Sequence, residues 1–278
     1  MLECAGNGRA FFPDPVGTVL WKYGAAGCVR WTGVRLADLL HQSELLPNAV
    51  YTGHHSPDLN MAGTGPAISR GIPIEKALSP ETLVAYGVNG EPIPHLHGGP
   101  LRLVAPGYPG SASQKWLTRV EIRDREHDGV RMTGQDYRMP RTPVRYGGPL
   151  DRIPFDVITD MPVRSLITFP QDRFRAPAGH ELNIRGHTWS GHVAVARVEL
   201  SCDNGRSWSS TKLSPLPDRF AWRGFEATLT DIPPGPIEII VRATDVEGRT
   251  QPLDSAPWNP RGYCNNRVHR IAGTIFKS

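Results

Sequence analysis

The chain has no CxxC pair, no long apolar run and no basic tract, and each lack removes a class of function. Its four cysteines, Cys4, Cys28, Cys202 and Cys264, stand far apart, which leaves zinc ribbons and thioredoxin-like chemistry without support. No apolar stretch approaches the roughly eighteen residues a membrane helix needs. No lysine- and arginine-rich run is interleaved with aromatics, so nothing points to nucleic acid. The net charge of +4 over 278 residues suits an anionic substrate equally well. A GxSxG elbow is missing, as is a nucleotide-type phosphate loop, which removes serine hydrolases and P-loop enzymes. There is no CxxCH for haem attachment, no internal repeat and no low-complexity segment.

Glycine and proline, by contrast, are plentiful, at 29 and 27 residues. Many prolines favour short strands, turns and irregular connections over long helices. Residues 1–150 read as mixed α and β. A short helix is predicted over Val34 to Leu46 and a helical turn over Ile74 to Leu78, with strands at Leu101 to Ala105 and Leu117 to Ile122. The glycine-rich stretch Pro106 to Ser113 between those strands is too long for a hairpin turn and rich in groups that can meet a ligand. Residues 139–156 have four prolines and no periodicity, and read as a linker. Beyond Val157 the pattern becomes short alternating runs, at Glu181 to Ile184, Ala194 to Leu200, Arg223 to Leu229 and Ile237 to Ala243. Turn signals such as Asp203-Asn204-Gly205 separate them. About seven such strands over residues 157–278 predict a β-sandwich. The expected fold class is therefore α+β: a mixed α/β domain, then an all-β sandwich.

The most informative motif is LECAGNGR around Cys4. A cysteine ahead of a Gly-Asn-Gly turn, with Arg9 five residues on, reads in two ways. It is either a soft thiolate donor for a thiophilic metal beside a cationic oxyanion fork, or a small buried cysteine before an ordinary turn. His54, His55, His187 and His192 lack metal-ligand company and read as loop residues.

LECAGNGR resembles the cysteine motif of the sulfite oxidase family of molybdenum enzymes. The likeness continues through Trp21, VRWTGVRLADLL (Val29 to Leu40) and AYGVNGEPIPHLHGGPLRLVAPGYPGSASQKWLTRVEI (Ala85 to Ile122). It then runs through GQDYRMP around Tyr137, MPVRSLIT from Met161, GHTWSG, SCDNGRSW and WNPRGYCNNRVHRI from Trp258. Nearly the whole chain is covered, in the family's order. The resemblance implies a molybdopterin-binding domain over 1–150 and an immunoglobulin-like dimerisation domain over 157–278, with Cys4 binding molybdenum. It places the cofactor cradle at His97, Arg102, Gly110, Ser111, Ser113 and Lys115, where cations and close backbone suit an anionic phosphate and polar rings. It places the substrate pocket at Arg9, Tyr137 with its neighbour Asp136, Arg261 and Trp21. Trp21 departs from the pattern, standing two residues nearer Cys4 than in the family.

The implied activity is oxidation of sulfite to sulfate, with electrons passed to an external acceptor such as a c-type cytochrome, by a homodimer. Sulfane dehydrogenase-like or nitrate reductase-like chemistry on the same scaffold stays open. So does a non-catalytic dimerising remnant, because Met1 stands three residues before the implied metal ligand. The family carries an arginine and a histidine ahead of that cysteine, so Met1 is expected to be an internal methionine and the cofactor domain incomplete. Any signal for periplasmic export would lie in that preceding segment, leaving the compartment open.

Overall fold

A computed structural model of the chain describes residues 1–17 and 19–277. The chain divides into two compact units, each assembled from separated stretches. One holds residues 1–6, 25–160 and 259–263; the other holds 7–24, 161–258 and 264–278. Among the described residues, no helix is long and apolar enough to cross a membrane.

The first unit is mixed α and β. Leu83–Val88 pairs with Trp31–Arg35, Glu91–Pro92 and Arg102–Val104, and a second sheet orders Gly71–Pro73, Tyr51–His55 and Arg119–Arg123. Its helices are short, Leu36–His41 and Ile74–Ala77. The helix expected from Val34 to Leu46 is thus only its middle. Val34, β-branched, pairs with Val84 at the end of a strand, and Leu45 packs on the core from beyond the helix. Leu36, Leu40, Ile72, Val84, Leu103 and Leu117 form that core. The proline-rich stretch expected as a linker has paired ends: Arg138–Pro140 runs antiparallel to Phe155–Val157, with Met139 opposite Asp156. Arg141 ties it further, donating Nε–H to Asp156 at 2.9 Å.

The second unit is a β-sandwich. One sheet orders Arg164–Phe169, Leu182–Trp189, Arg223–Leu229 and Lys212–Leu213. The other orders Phe174–Pro177, His269–Phe276, Gly235–Asp245, Val195–Ser201 and Ser209–Ser210. Among the described residues, nine strands thus stand where about seven are read from sequence, because two-residue edge strands are too short to carry an alternating pattern. Inward residues of both sheets, among them Ile184, Phe225, Val198, Ile239 and Val241, make one apolar core. Gly186 faces this core where a Cβ would collide with the Leu166 carbonyl and the Phe225 ring. Its lack of a side chain therefore lets the two strands close.

His54 and His55 lie on a strand rather than in a loop, and His54 is completely buried. The Thr52 hydroxyl donates to the Ile72 carbonyl and so accepts from His54 Nε2–H at 2.9 Å, which fixes the tautomer of the neutral ring. Burial, with help from His127, His55 and Arg70, drops the His54 pKa to about 3. In the sandwich unit, Ile167 N–H donates to His269 Nδ1 at 3.1 Å, a bond that needs a neutral ring. Burial lowers His269 to about 4, against a weaker pull from Asp172. Both folded-state values lie below the unfolded value of about 6.5, so the unfolded chain binds more protons as pH falls. Their contribution to stability is complete above pH 6.5 and shrinks from there toward pH 4. Each histidine steepens the loss by up to about 1.4 kcal/mol per pH unit. Urea midpoints measured from pH 7 to pH 4.5 should fall steadily, and His269→Asn should flatten the slope. A flat profile would show that neither ring is held neutral.

Candidate active site around Cys4

Cys4 follows the strand Leu2–Glu3, which pairs with Ala26–Gly27, and its backbone N–H donates to Ala25 O at 2.9 Å. The sulfur accepts weakly from Gly6 N–H at 3.4 Å and is partly exposed. The loop Pro106 to Ser113 comes alongside through a parallel bridge between Glu3 and Pro109. A Cβ on Gly110 would lie 3.1 Å from the Glu3 carbonyl oxygen, so glycine there lets the two backbones approach.

Together these segments wall a cavity of about 460 Å³, a size that holds a cofactor-sized ligand. Cys4 and Tyr137 line it, and so do Arg102, Gly110, Ser111, Ser113 and Lys115 of the expected cradle. His97 does not; it is exposed in the turn His95–His97, and its carbonyl accepts from Arg102. Arg102 is 8% exposed. It donates Nη1–H to His97 O at 2.7 Å and Nη2–H to Ser113 O at 3.0 Å, and its carbon centre sits 5.0 Å from the Trp31 ring. Its buried Nε–H has no acceptor. Burial pulls its pKa down to about 10, leaving it charged at neutral pH. Lys115 donates to Leu96 O at 2.9 Å and lies over the Trp116 ring. The Ser113 hydroxyl accepts from Ala105 N–H at 3.0 Å, which anchors the loop.

Tyr137 has φ 54°, a left-handed conformation uncommon for a non-glycine residue and of the kind that gathers at functional sites. Its carbonyl is held by Ile158 N–H, and its ring stacks on Tyr263 with centroids 5.3 Å apart. Burial, then the neighbouring Cys4, raises the phenol's pKa, against a downward pull from Arg70. The phenol is therefore a proton donor at neutral pH. Asp136 does not line the cavity; its carboxylate bridges Arg261 at 2.8 Å and Arg131 at 3.2 Å. Arg9 and Trp21 belong to the second unit, where Arg9 donates to Val19 O at 3.2 Å and Trp21 O accepts from Ala10 N–H at 3.0 Å.

Sequence reasoning misses Asp58, Gln114 and Arg70. Asp58 and Gln114 line the cavity and are joined through Ser56, which accepts from Gln114 Nε2–H at 2.7 Å and donates to Asp58 at 2.5 Å. Arg70 lies over Tyr137. Asp58 and Arg70 stand in no motif; Gln114 sits inside GSASQKW and passes there as a spacer.

The residues suit a molybdenum–pterin group: a soft thiolate, a buried guanidinium with an unused donor, an ammonium and close backbone share one cavity. Among the described residues, no three His, Cys, Asp or Glu side chains cluster as metal ligands. A metal at Cys4 thus needs further ligands that such a group carries itself.

Residues 1–131 match the family model "Oxidoreductase molybdopterin binding domain", and residues 155–275 match "Mo-co oxidoreductase dimerisation domain". Mitochondrial sulfite oxidase of Homo sapiens is 35% identical over 97% of this chain and 51% of its own length. The chain thus spans about half the length of the mammalian enzymes it matches. Sulfite oxidase of Arabidopsis thaliana is 31% identical over 97% of this chain and 74% of that protein. In fold, the sulfane dehydrogenase SoxCD of Paracoccus pantotrophus superposes with a TM-score of 0.79 at 24% identity, covering all of this chain and 70% of that one. By these matches along nearly its whole length, the chain belongs to the sulfite oxidase family of molybdopterin-binding oxidoreductases.

Proposed function

We propose that the protein oxidises sulfite to sulfate, with residues 1–150 binding a molybdenum–pterin cofactor and residues 157–278 joining two copies into a homodimer. The observation that carries this reading is the shared cavity of Cys4, Tyr137, Arg102 and Lys115, beside kinship with proteins named sulfite oxidase. The molybdenum–pterin group, when bound, supplies the two-electron oxygen-atom transfer.

The chain's own residues bind and orient. Cys4 offers the thiolate to the metal. Arg102 and Lys115 would neutralise the cofactor's phosphate, while Ser111, Ser113 and Gly110 would bring hydroxyls and close backbone to its rings. Tyr137 donates its O–H toward an oxyanion held in the pocket. Arg261, steadied by Asp136, replaces water that a dianion gives up. Sulfite and water become sulfate, releasing two electrons to an external acceptor such as a c-type cytochrome, and two protons to solvent.

Protein purified from a molybdopterin-competent host should carry about one molybdenum per chain and reduce cytochrome c when sulfite is added. Metal-free protein, or loaded protein that leaves sulfite untouched, would sink the assignment.

A further inference from the structure

Arg70 has no role in the reading above, yet it is the most unusual side chain of the first unit. Its residue is 1% exposed, and among the described residues no carboxylate faces it. The titratable groups around it include the phenols of Tyr137, Tyr51 and Tyr263, the Arg138 guanidinium and the His54 ring. One donor goes to the Arg131 carbonyl at 2.5 Å, while the buried Nε–H has no acceptor. Its carbon centre lies 4.5 Å from the centroid of the Tyr137 ring. A cation so buried, without an anion beside it, is poor construction for stability alone, since an apolar residue would fill the space without desolvating a charge. Planar guanidinium on a phenol face is instead a directional attraction that strengthens when water is excluded.

The same neighbourhood fixes Tyr137 from several sides. Tyr263 stacks on it. The Arg131 carbonyl that Arg70 grips lies six residues ahead, and Arg131 reaches on to Asp136. Arg70 therefore touches both the ring and the turn that carries it.

We infer that Arg70 is a positioning residue for Tyr137: its guanidinium lies on the face of the ring and holds it in place, and this fixed positive charge beside the phenol favours an oxyanion at its hydroxyl. The inference rests on the reading that Tyr137 meets the substrate anion. Its charge biases the O–H bond toward donation without contacting the anion itself.

The test uses the full molybdenum-loaded protein with Arg70→Met and Arg70→Lys, each alone and combined with Tyr137→Phe. Arg70→Met should raise KM for sulfite about tenfold with kcat changed less and molybdenum content retained, as loss of a buried cation–π contact predicts. In the Tyr137→Phe background the same change should cost less than about twofold, because the two residues act as one unit. Arg70→Lys, which keeps charge but loses the plane, should fall between. An activity-independent readout is fluorine NMR of protein labelled with 3-fluorotyrosine, with the Tyr137 line identified by its loss in Tyr137→Phe. That line should move in the Arg70 variants, and its response to added sulfate should need about tenfold more anion. Multiplicative KM effects, or a Tyr137 line and sulfate response unchanged, would overturn the inference. If Arg70→Met does not fold, Arg70→Lys decides by the same readouts. If wild type does not oxidise sulfite, the functional reading fails while the Tyr137 line still reports on Arg70.

Discussion

Cys4→Ser should purify as a folded protein with almost no molybdenum, and sulfite turnover should drop by at least about 10³-fold. A thiolate forms near neutral pH and is a soft donor, whereas a serine hydroxyl stays protonated and is hard. The local structure has little reason to change. The residue's backbone bond to Ala25 O does not involve the side chain, and a serine oxygen can accept from Gly6 N–H as the sulfur does. The loss of stability should stay below about 1 kcal/mol, within about 4 °C in melting temperature. Metal analysis, turnover and a thermal melt on one preparation check all three. Full metal content with full turnover would move the metal away from Cys4.

Arg102→Ala should be as damaging to the cofactor and far worse for the fold. Arg102 closes two turns at once by donating to His97 O and Ser113 O, and it packs on Trp31. Its removal strands two carbonyls around a buried site and deletes a charge from the cavity wall. With charge-assisted bonds worth about 1.5–3 kcal/mol each, a loss of about 3 kcal/mol or more is expected. Arg102→Lys keeps the charge but reaches one carbonyl at best, so it should recover about half the stability and part of the molybdenum. Denaturant midpoints with metal content measure both. A protein that loses molybdenum at unchanged stability would mean that Arg102 only contacts the cofactor.

The contrast between Arg102 and Arg70 shows what a motif carries. Arg102 sits in HGGPLR, a string that the family resemblance marks as part of the cofactor cradle, and it lines the cavity. Arg70 sits in AISRGIP, where nothing marks it from a surface arginine. Its burial comes from residues such as Tyr51 and Tyr137, far off in sequence. Asp58 is hidden for the same reason, since its tether runs through Ser56 to Gln114, 56 positions along the chain. Asp136 and Arg261 are each legible as candidates, but not that they meet at 2.8 Å across 125 positions.

The fold divides in the same way. Alternation in Leu182–Trp189 and Gly235–Asp245 makes the sandwich readable, because a period of two reflects one buried face. Edge strands such as Ser209–Ser210 lack the length to show it. The pairing of Arg138–Pro140 with Phe155–Val157 depends on register between residues a long loop apart, so a proline count reads it as a linker. By itself the sequence determined the α+β order, through local alternation, and the family, through the resemblance of its motifs, from which the metal-ligand and cradle candidates follow. Only the tertiary structure decided which candidates share a cavity, that His97 stands outside it, and that a buried arginine backs Tyr137. Those facts depend on contacts between distant segments, which no local pattern encodes.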